Sequence, residues 1–175
     1  EPPGISHSRP IFDAPRAVTE VRSYFDAYAV DGQSPWQVSF PKEVGEVSSF
    51  LNNANREGWG VIPWGGGTAM GLGGIPRKLD LVLSLSHLRR IVEYCPADLT
   101  VTAEAGVPLG DLQEVLAAQN QTLPLYPSHS SRATLGGILA TDQSGPRQMR
   151  YGPPHDLLLG LKVALADGTV VRFGG

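Results

Sequence analysis

Apolar residues recur with a helical period in two stretches of the chain. Over residues 43–57 they lie three or four positions apart, which predicts an amphipathic helix with Gly58 as its C-terminal cap. The same spacing predicts a second helix over 108–119, which begins with Pro108. A further helix is predicted over 14–28, after a Pro-rich segment that we expect to be extended.

Strand-like runs fill much of the remaining sequence. Four apolar segments have the length and composition of strands, at 59–64, 79–84, 90–94 and 99–104. Near the end of the chain, Asp167-Gly168 separates the runs 160–166 and 169–173, and this pattern predicts a β-hairpin.

Helices and strands alternate early in the chain, and strands dominate later. This order predicts an α+β fold with a small βαβ lobe and a larger lobe that has a mixed or antiparallel sheet. We expect an N-terminal arm over 1–30 and one domain over 31–175, divided into the small lobe at 31–85 and the larger lobe at 86–175.

The composition favours a globular domain and gives no sign of a nucleic-acid-binding, membrane-spanning, disulfide-bonded or metal-binding protein. Hydrophobic residues make up 41% of the 175 residues and charged residues 18%, which is typical of a globular domain. The formal net charge of -3 gives no basic surface for nucleic acid, and no apolar run is long enough to span a bilayer. A single cysteine, Cys95, and four histidines without ligand spacing predict neither a disulfide nor a metal site. No secretory signal is visible, so the cytoplasm is the expected compartment.

The candidate chemistry begins with a glycine loop, which we define as residues 65–74. It holds six glycines in ten residues and follows an apolar, Trp-containing run. Glycine permits close approach of a ligand to the backbone, and successive backbone N–H groups in one concavity form an anion-binding nest. The loop contains no acidic side chain that would repel phosphate. We therefore predict that it holds a diphosphate.

Two familiar phosphate loops do not fit this sequence. A Walker loop requires lysine where Leu72 stands. The dinucleotide fingerprint begun at Gly65 requires glycine where Met70 stands, and Pro76 follows too soon for a helix. A flexible linker is the structural alternative, although linkers are usually polar and rich in Gly and Ser.

A second segment, 126–152, is rich in hydroxyl groups and glycines. Thr134 is placed to cap a short helix beginning at Leu135, and free N–H groups at such an N-terminus bind anions. Arg132, Arg147 and Arg150 are candidates for contacting an anionic ligand, with solvated loop charges as the alternative. We expect this segment and the glycine loop to hold a dinucleotide between them. A capped helix flanked by loops, without a ligand, is the other interpretation.

Seven motifs in register resemble the FAD-linked oxidases related to vanillyl-alcohol oxidase and p-cresol methylhydroxylase. Besides the glycine loop, the segments that carry the resemblance are 40–44, 80–84, 102–112, 123–127, 134–145, 150–156 and 166–168. Within the superfamily, the ending 167–175 is most similar to the branch that contains the FAD-binding subunit of bacterial glycolate oxidase.

The resemblance implies a FAD-binding domain of p-cresol methylhydroxylase type. Some relatives attach the flavin covalently to a histidine in or near this loop, but residues 65–74 contain none, so non-covalent FAD is expected. The residues implied to bind FAD are Trp64, Gly65, Gly66, Gly67, Thr68, Ala69, Met70, Gly71, Pro127, Ser128, Thr134, Gly136, Gly137, Thr141, Ser144, Gly145, Arg150 and Tyr151.

The implied function is a flavin-dependent oxidoreductase that dehydrogenates a small 2-hydroxy acid of the glycolate or D-lactate type. Its implied partners are the substrate, an electron acceptor and other subunits of an oxidase complex. Family members continue with more of the flavin domain and a cap domain, so we expect a fragment or short member, inactive alone, whose catalytic residues cannot be assigned. The alternatives are a flavoenzyme of the same superfamily with another substrate, or a non-catalytic nucleotide-binding or assembly module.

Overall fold

A computed structural model describes residues 24–174 of the chain. Its elements, in order, are β1 (Gln37–Ser39), α1 (Val44–Glu57), β2 (Val61–Trp64), β3 (Leu81–Ser84), β4 (Ile91–Cys95), β5 (Thr100–Ala103), α2 (Leu109–Ala117), α3 (Leu135–Thr141), α4 (Gln148–Tyr151), a 3-10 helix (Pro154–Leu157), β6 (Gly160–Ala164) and β7 (Val170–Gly174). The predicted α+β architecture is confirmed. The helix predicted over 14–28 lies for the most part outside the described residues.

The first three strands form a parallel sheet in the order β1, β3, β2. Leu81, Val82 and Leu83 of the central strand are almost fully buried, because both faces of the sheet are covered. On one face Leu83 packs with Val47 of α1. On the other face Val82 packs with Val38 of β1. The βαβ prediction for this part of the chain is therefore right.

The later strands pair antiparallel in two separate hairpins, β4 with β5 and β6 with β7. The β4–β5 pair is covered by α2, whose Leu112 and Leu116 are buried in a cluster that Val101 joins. The turn of the β6–β7 hairpin lies against α1, where the Ser48 hydroxyl donates a hydrogen bond to the Gly168 carbonyl. This contact connects the end of the described chain to α1.

Sequence patterns located most of these elements but missed the shortest ones. Strand β1 has only three residues, which is too few to show an alternating pattern, and its place at the edge of the sheet depends on pairing with β3. The four-residue α4 and the 3-10 helix were also not predicted. Within residues 24–174, no helix is long and apolar enough to cross a membrane.

The Asp80 carboxylate connects the starts of the three parallel strands. It accepts hydrogen bonds from the Gly60 backbone N–H (2.6 Å) and the Trp36 indole N–H (3.2 Å), and it pairs with Lys78 at 3.0 Å. Its backbone also pairs with both neighbouring strands, because Asp80 N donates to Gly60 O while its carbonyl accepts from Trp36 N and Gln37 N. Asp80 therefore fixes where the chain re-enters the sheet after the glycine loop.

These contacts govern the ionisation of Asp80. Partial burial raises the pKa of the carboxyl, but the hydrogen bonds from Gly60, Lys78 and Trp36 outweigh burial, so the pKa lies below its ordinary value of 3.8. A carboxyl with a lowered pKa in the folded state contributes stability above its unfolded-state pKa. That contribution is lost as the pH falls through the folded-state value.

We predict that Asp80→Asn lowers the free energy of unfolding by about 1–3 kcal/mol at neutral pH, because it weakens three hydrogen bonds to a largely buried carboxylate. Urea unfolding measures the change, and the difference from the unsubstituted protein should shrink below about pH 4. Glu114→Gln, at an exposed position in α2, is the control and should change stability by less than about 0.5 kcal/mol. Equal stability of the Asp80 variant and the control at neutral pH would contradict this role.

Candidate functional site

The glycine loop and the segment 132–134 are in direct backbone contact. A Cβ atom at Gly66 would collide with the Arg132 carbonyl, and one at Gly65 would collide with the Thr134 hydroxyl. The Arg132 guanidinium also donates a hydrogen bond of 3.1 Å to the Gly66 carbonyl. Residues distant in sequence are therefore joined at the carboxyl end of β2, the edge at which parallel sheets commonly bind ligands.

The segment 132–134 is held from its other side by the start of α2. Leu109 N donates to the Ala133 carbonyl at 2.8 Å, and Leu135 N donates to the Val107 carbonyl at 2.9 Å. Thr134 and Pro108 form an isolated antiparallel bridge. The segment is thus a strap between α2 and the glycine loop, and its position follows from backbone hydrogen bonds.

A cleft of about 300 Å³ lies where the two segments meet. It is lined by Val30, Ile62, Pro63, Gly65, Gly66, Gly67, Thr68, Ala69, Met70, Leu72, Gly73, Gly74, Pro76, Ala133, Thr134, Gly137, Ile138, Ala140, Thr141 and Gln143. Pockets for small ligands usually measure about 300–1,000 Å³. A cleft at the lower limit has room for part of a dinucleotide, such as a diphosphate and one flanking group.

The backbone of the glycine loop carries unpaired donors beside this cleft. Among the described residues, the N–H groups of residues 66–70 donate no hydrogen bond to any protein acceptor, although these residues are half-buried. Gly67 has φ of 66°, a conformation that glycine adopts without strain. Unpaired, partly buried N–H groups require a partner, and a diphosphate supplies several acceptor oxygens. The loop therefore fits the anionic centre of FAD.

The N-terminus of α3 does not supply the free donors that its sequence predicted. Thr134 caps the helix as expected, because its hydroxyl accepts a hydrogen bond from Gly137 N at 3.4 Å. However, Leu135 N donates to Val107, and Gly136 N donates to the Ala105 carbonyl at 2.8 Å. These bonds satisfy the first N–H groups, so the prediction that these groups are free to bind an anion is wrong. The cleft instead borders the side of α3 through Gly137, Ile138, Ala140 and Thr141.

The described wall of the cleft is electrically neutral. Its apolar part includes Val30, Ile62, Met70 and Ile138, and none of the side chains given above as its lining is ionisable. Backbone N–H groups are thus the main source of positive potential inside the cleft. Arg132 adds a formal charge at the outer face of the loop, where its side chain is exposed.

An ion pair lies just beyond the end of α3. His155 Nδ1 is 2.9 Å from Asp142 Oδ1, and His155 Nε2 is 3.6 Å from Asp156 Oδ1. The hydrogen bond to Asp142 raises the pKa of the exposed His155 side chain, and Asp156 adds to the effect. Since Asp142 directly follows the cleft residue Thr141, the pair connects the 3-10 helix with one end of the cleft.

The structure brings together about half of the residues predicted to bind the cofactor. Those that line the cleft are Gly65, Gly66, Gly67, Thr68, Ala69, Met70, Thr134, Gly137 and Thr141. Those that do not line it are Trp64, Gly71, Pro127, Ser128, Gly136, Ser144, Gly145, Arg150 and Tyr151. Trp64 packs behind the loop against Tyr28.

Several residues that line the cleft were not among those predicted individually to bind the cofactor. They are Val30, Ile62, Pro63, Leu72, Gly73, Gly74, Pro76, Ala133, Ile138, Ala140 and Gln143. Val30 reaches the cleft through a contact that no local pattern reveals, because the side chain of its bridge partner Gln33 donates to the Pro76 carbonyl at 2.6 Å. For Gly73 and Gly74 the dense glycine run was itself a usable signal.

Comparison with known proteins identifies the family to which this site belongs. Residues 35–174 match the family model described as the FAD binding domain. The chain belongs to this FAD-binding family. Its fold is that of the p-cresol methylhydroxylase-type domain, and FAD is the cofactor of the family, as the resemblance implied.

Two curated relatives cover nearly all of this FAD-binding domain. The glycolate oxidase subunit GlcD of Bacillus subtilis is 32% identical over 164 residues, which are 94% of this chain and 35% of that protein. The D-lactate dehydrogenase of Archaeoglobus fulgidus is 30% identical over 167 residues, which are 90% of this chain and 37% of that protein. The chain therefore spans little more than a third of the length of either relative.

A solved structure supports the same fold. A variant of the Physcomitrella patens BBE-like 1 protein superposes with a TM-score of 0.71 and is 25% identical. The superposition covers 90% of this chain and 34% of the other.

We predict that Gly66→Ala weakens FAD binding by about tenfold or more, because the new methyl group forces the loop away from Arg132 and disorders the unpaired N–H groups. Titration of FAD fluorescence measures the affinity. Gly45→Ala is the matched control, because its Cβ meets no atom closer than 4.0 Å and lies in α1, away from the cleft. Unchanged FAD affinity in the Gly66 variant would contradict the role given to the loop.

Proposed function

We propose that this chain is the FAD-binding part of an oxidoreductase that dehydrogenates a small 2-hydroxy acid of the glycolate or D-lactate type. The observation that carries the proposal is the cleft bordered by unpaired N–H groups of residues 66–70, in a chain that belongs to the FAD-binding family. The names of the two relatives above, a glycolate oxidase subunit and a D-lactate dehydrogenase, support this class of substrate.

In this proposal the glycine loop holds the diphosphate through the backbone N–H groups of residues 66–70. Arg132 balances part of the diphosphate charge and keeps the loop in place through its bond to Gly66. Thr68 and Thr141 add hydroxyl groups, although the Thr141 hydroxyl already donates to Gly137 O at 2.8 Å. The apolar part of the wall contacts an uncharged portion of the cofactor and excludes water from it.

Bound FAD supplies the acceptor for the two electrons removed from the substrate. The cleft itself contributes binding and orientation, since its described lining has no ionisable side chain that can act as a general base. We propose that the base and the groups that bind the substrate carboxylate lie outside the described residues.

We further propose that FAD is held without a covalent bond. Within residues 24–174, the cleft lining includes neither histidine nor cysteine. His129, the histidine of the second segment, is exposed and is not part of that lining. This arrangement favours a cofactor that dissociates when the protein unfolds.

The domain division and the partners complete the proposal. We propose an arm over 1–30, a small lobe over 31–85 and a larger lobe over 86–175, in which the cleft forms between the loop of the first lobe and the strap of the second. By analogy with the Bacillus relative, which is named as a subunit, we propose that other subunits and an electron acceptor are partners. A cytoplasmic location also remains a proposal.

Two measurements test this function, one on the purified chain and one on the intact oxidoreductase. We predict that the protein binds FAD, so that the visible absorbance of the flavin accompanies the purified protein. We also predict that denaturation releases all of this flavin into the soluble fraction. We also predict that the intact oxidoreductase reduces an artificial dye with glycolate or D-lactate and not with sugars or phenols. A colourless protein that FAD neither binds nor stabilises favours the assembly module, and turnover only with sugars or phenols rejects the 2-hydroxy acid assignment.

A further inference from the structure

Gln143 is a polar residue of the cleft for which the fold itself provides no partner. It is half-buried and lines the cleft beside Thr141. In the described part of the chain, its side-chain amide neither donates nor accepts a hydrogen bond, although its backbone N–H does. The neighbouring Ser144 hydroxyl is buried and also has no partner among the described residues. The turn after α3 therefore holds two unpaired polar groups next to a ligand cleft.

The backbone around Gln143 is fixed from two sides. Asp142 ends α3 in a left-handed conformation with φ of 51°, and the N–H groups of Asp142 and Gln143 both donate to the Ile138 carbonyl. This arrangement is a helix C-terminal motif of the Schellman type. On the other side, Tyr126 N donates to the Ser144 carbonyl at 2.8 Å. The fold therefore holds the position of Gln143 without constraining its amide.

The chemistry of the amide restricts what it can recognise. A glutamine side chain presents an acceptor oxygen and two N–H donors side by side, and it carries no charge. Such a group suits a planar ring edge with an adjacent donor and acceptor, in the way that Gln and Asn contact adenine in nucleic acids. The side chains that line the cleft are uncharged, and the Asp142 and His155 pair lies outside that lining, so the wall suits an uncharged ring better than a further phosphate.

We infer that Gln143 recognises an uncharged heteroaromatic ring of the bound cofactor through paired hydrogen bonds from its side-chain amide. The inference rests on the proposed function, because it requires FAD as the ligand of the cleft. Two rings of FAD offer the required edge, the adenine and the pyrimidine part of the flavin. Gln143 is thus a positioning residue for the cofactor that was absent from the residues predicted by sequence.

The test compares Gln143→Leu with the unsubstituted chain, using FAD and ADP as ligands. Loss of two hydrogen bonds should weaken FAD binding by about tenfold. If the adenine is the ring, ADP affinity falls by a similar factor and the flavin absorbance of bound FAD is unchanged. If the flavin is the ring, ADP affinity is unchanged, and both the absorbance maxima and the reduction potential of bound FAD shift.

Two further variants keep the result interpretable. Gln119→Leu makes the same substitution at an exposed site outside the cleft, and it should leave both affinities unchanged. Gln143→Glu keeps the size of the side chain but removes its donors, and it should also weaken FAD binding. This variant replaces Gln143→Leu in the test if the leucine variant is unstable. Melting temperatures verify that each variant is folded.

The outcomes separate this inference from the proposed function. If the unsubstituted chain binds FAD while folded Gln143 variants keep its affinity, absorbance and potential, the inference is overturned and the proposed function stands. If the unsubstituted chain binds no FAD, the proposed function fails and this inference fails with it.

Discussion

The backbone of Gly66 and the carbonyl of Arg132 lie too close together for any side chain to fit between them, and the candidate site depends on this contact. It joins the end of β2 to a strap that the start of α2 holds through the Leu109 and Ala133 hydrogen bond. Without it, the glycine loop and the strap would not meet at Gly66, and the cleft would lose the wall that the strap provides. The shape of the site is therefore set by backbone packing, and side chains add to it.

A second constraint is which backbone N–H groups already have a hydrogen-bond partner within the protein. At the start of α3, the N–H groups of Leu135 and Gly136 bond to carbonyls of the chain, so the helix terminus contributes to the fold. In the glycine loop, the N–H groups of residues 66–70 have no protein partner among the described residues. The two glycine-rich segments look alike in sequence, yet one is occupied by internal hydrogen bonds and the other is available for a ligand.

Local patterns predicted the parts of this structure that depend on local physics. The helical spacing over 43–57 and the cap at Gly58 correspond to α1 and its left-handed end, with φ of 66°. The Asp167-Gly168 turn correctly marked the β6–β7 hairpin. The motifs also identified the FAD-binding family, because several short segments in register are far more specific than any one of them.

What the sequence did not predict depends on contacts between distant residues. Strand β1 exists because β3 pairs with it, and Val30 lines the cleft because Gln33 reaches Pro76. The Gly136 N–H is not free, because it donates a hydrogen bond to the carbonyl of Ala105, thirty-one residues earlier in the chain. Gln143 was overlooked because an isolated glutamine in a loop has no pattern, and only the cleft shows that its amide is unpaired.

We propose that the unpaired N–H groups of the glycine loop bind the diphosphate of FAD. Hydrogen–deuterium exchange of residues 65–70, measured with and without FAD, reports on these groups themselves. We expect FAD and ADP both to slow exchange in this segment, whereas riboflavin, which has no phosphate, should not. Unchanged exchange of these residues at saturating FAD would rule out this binding mode, because amides that bind phosphate must be protected.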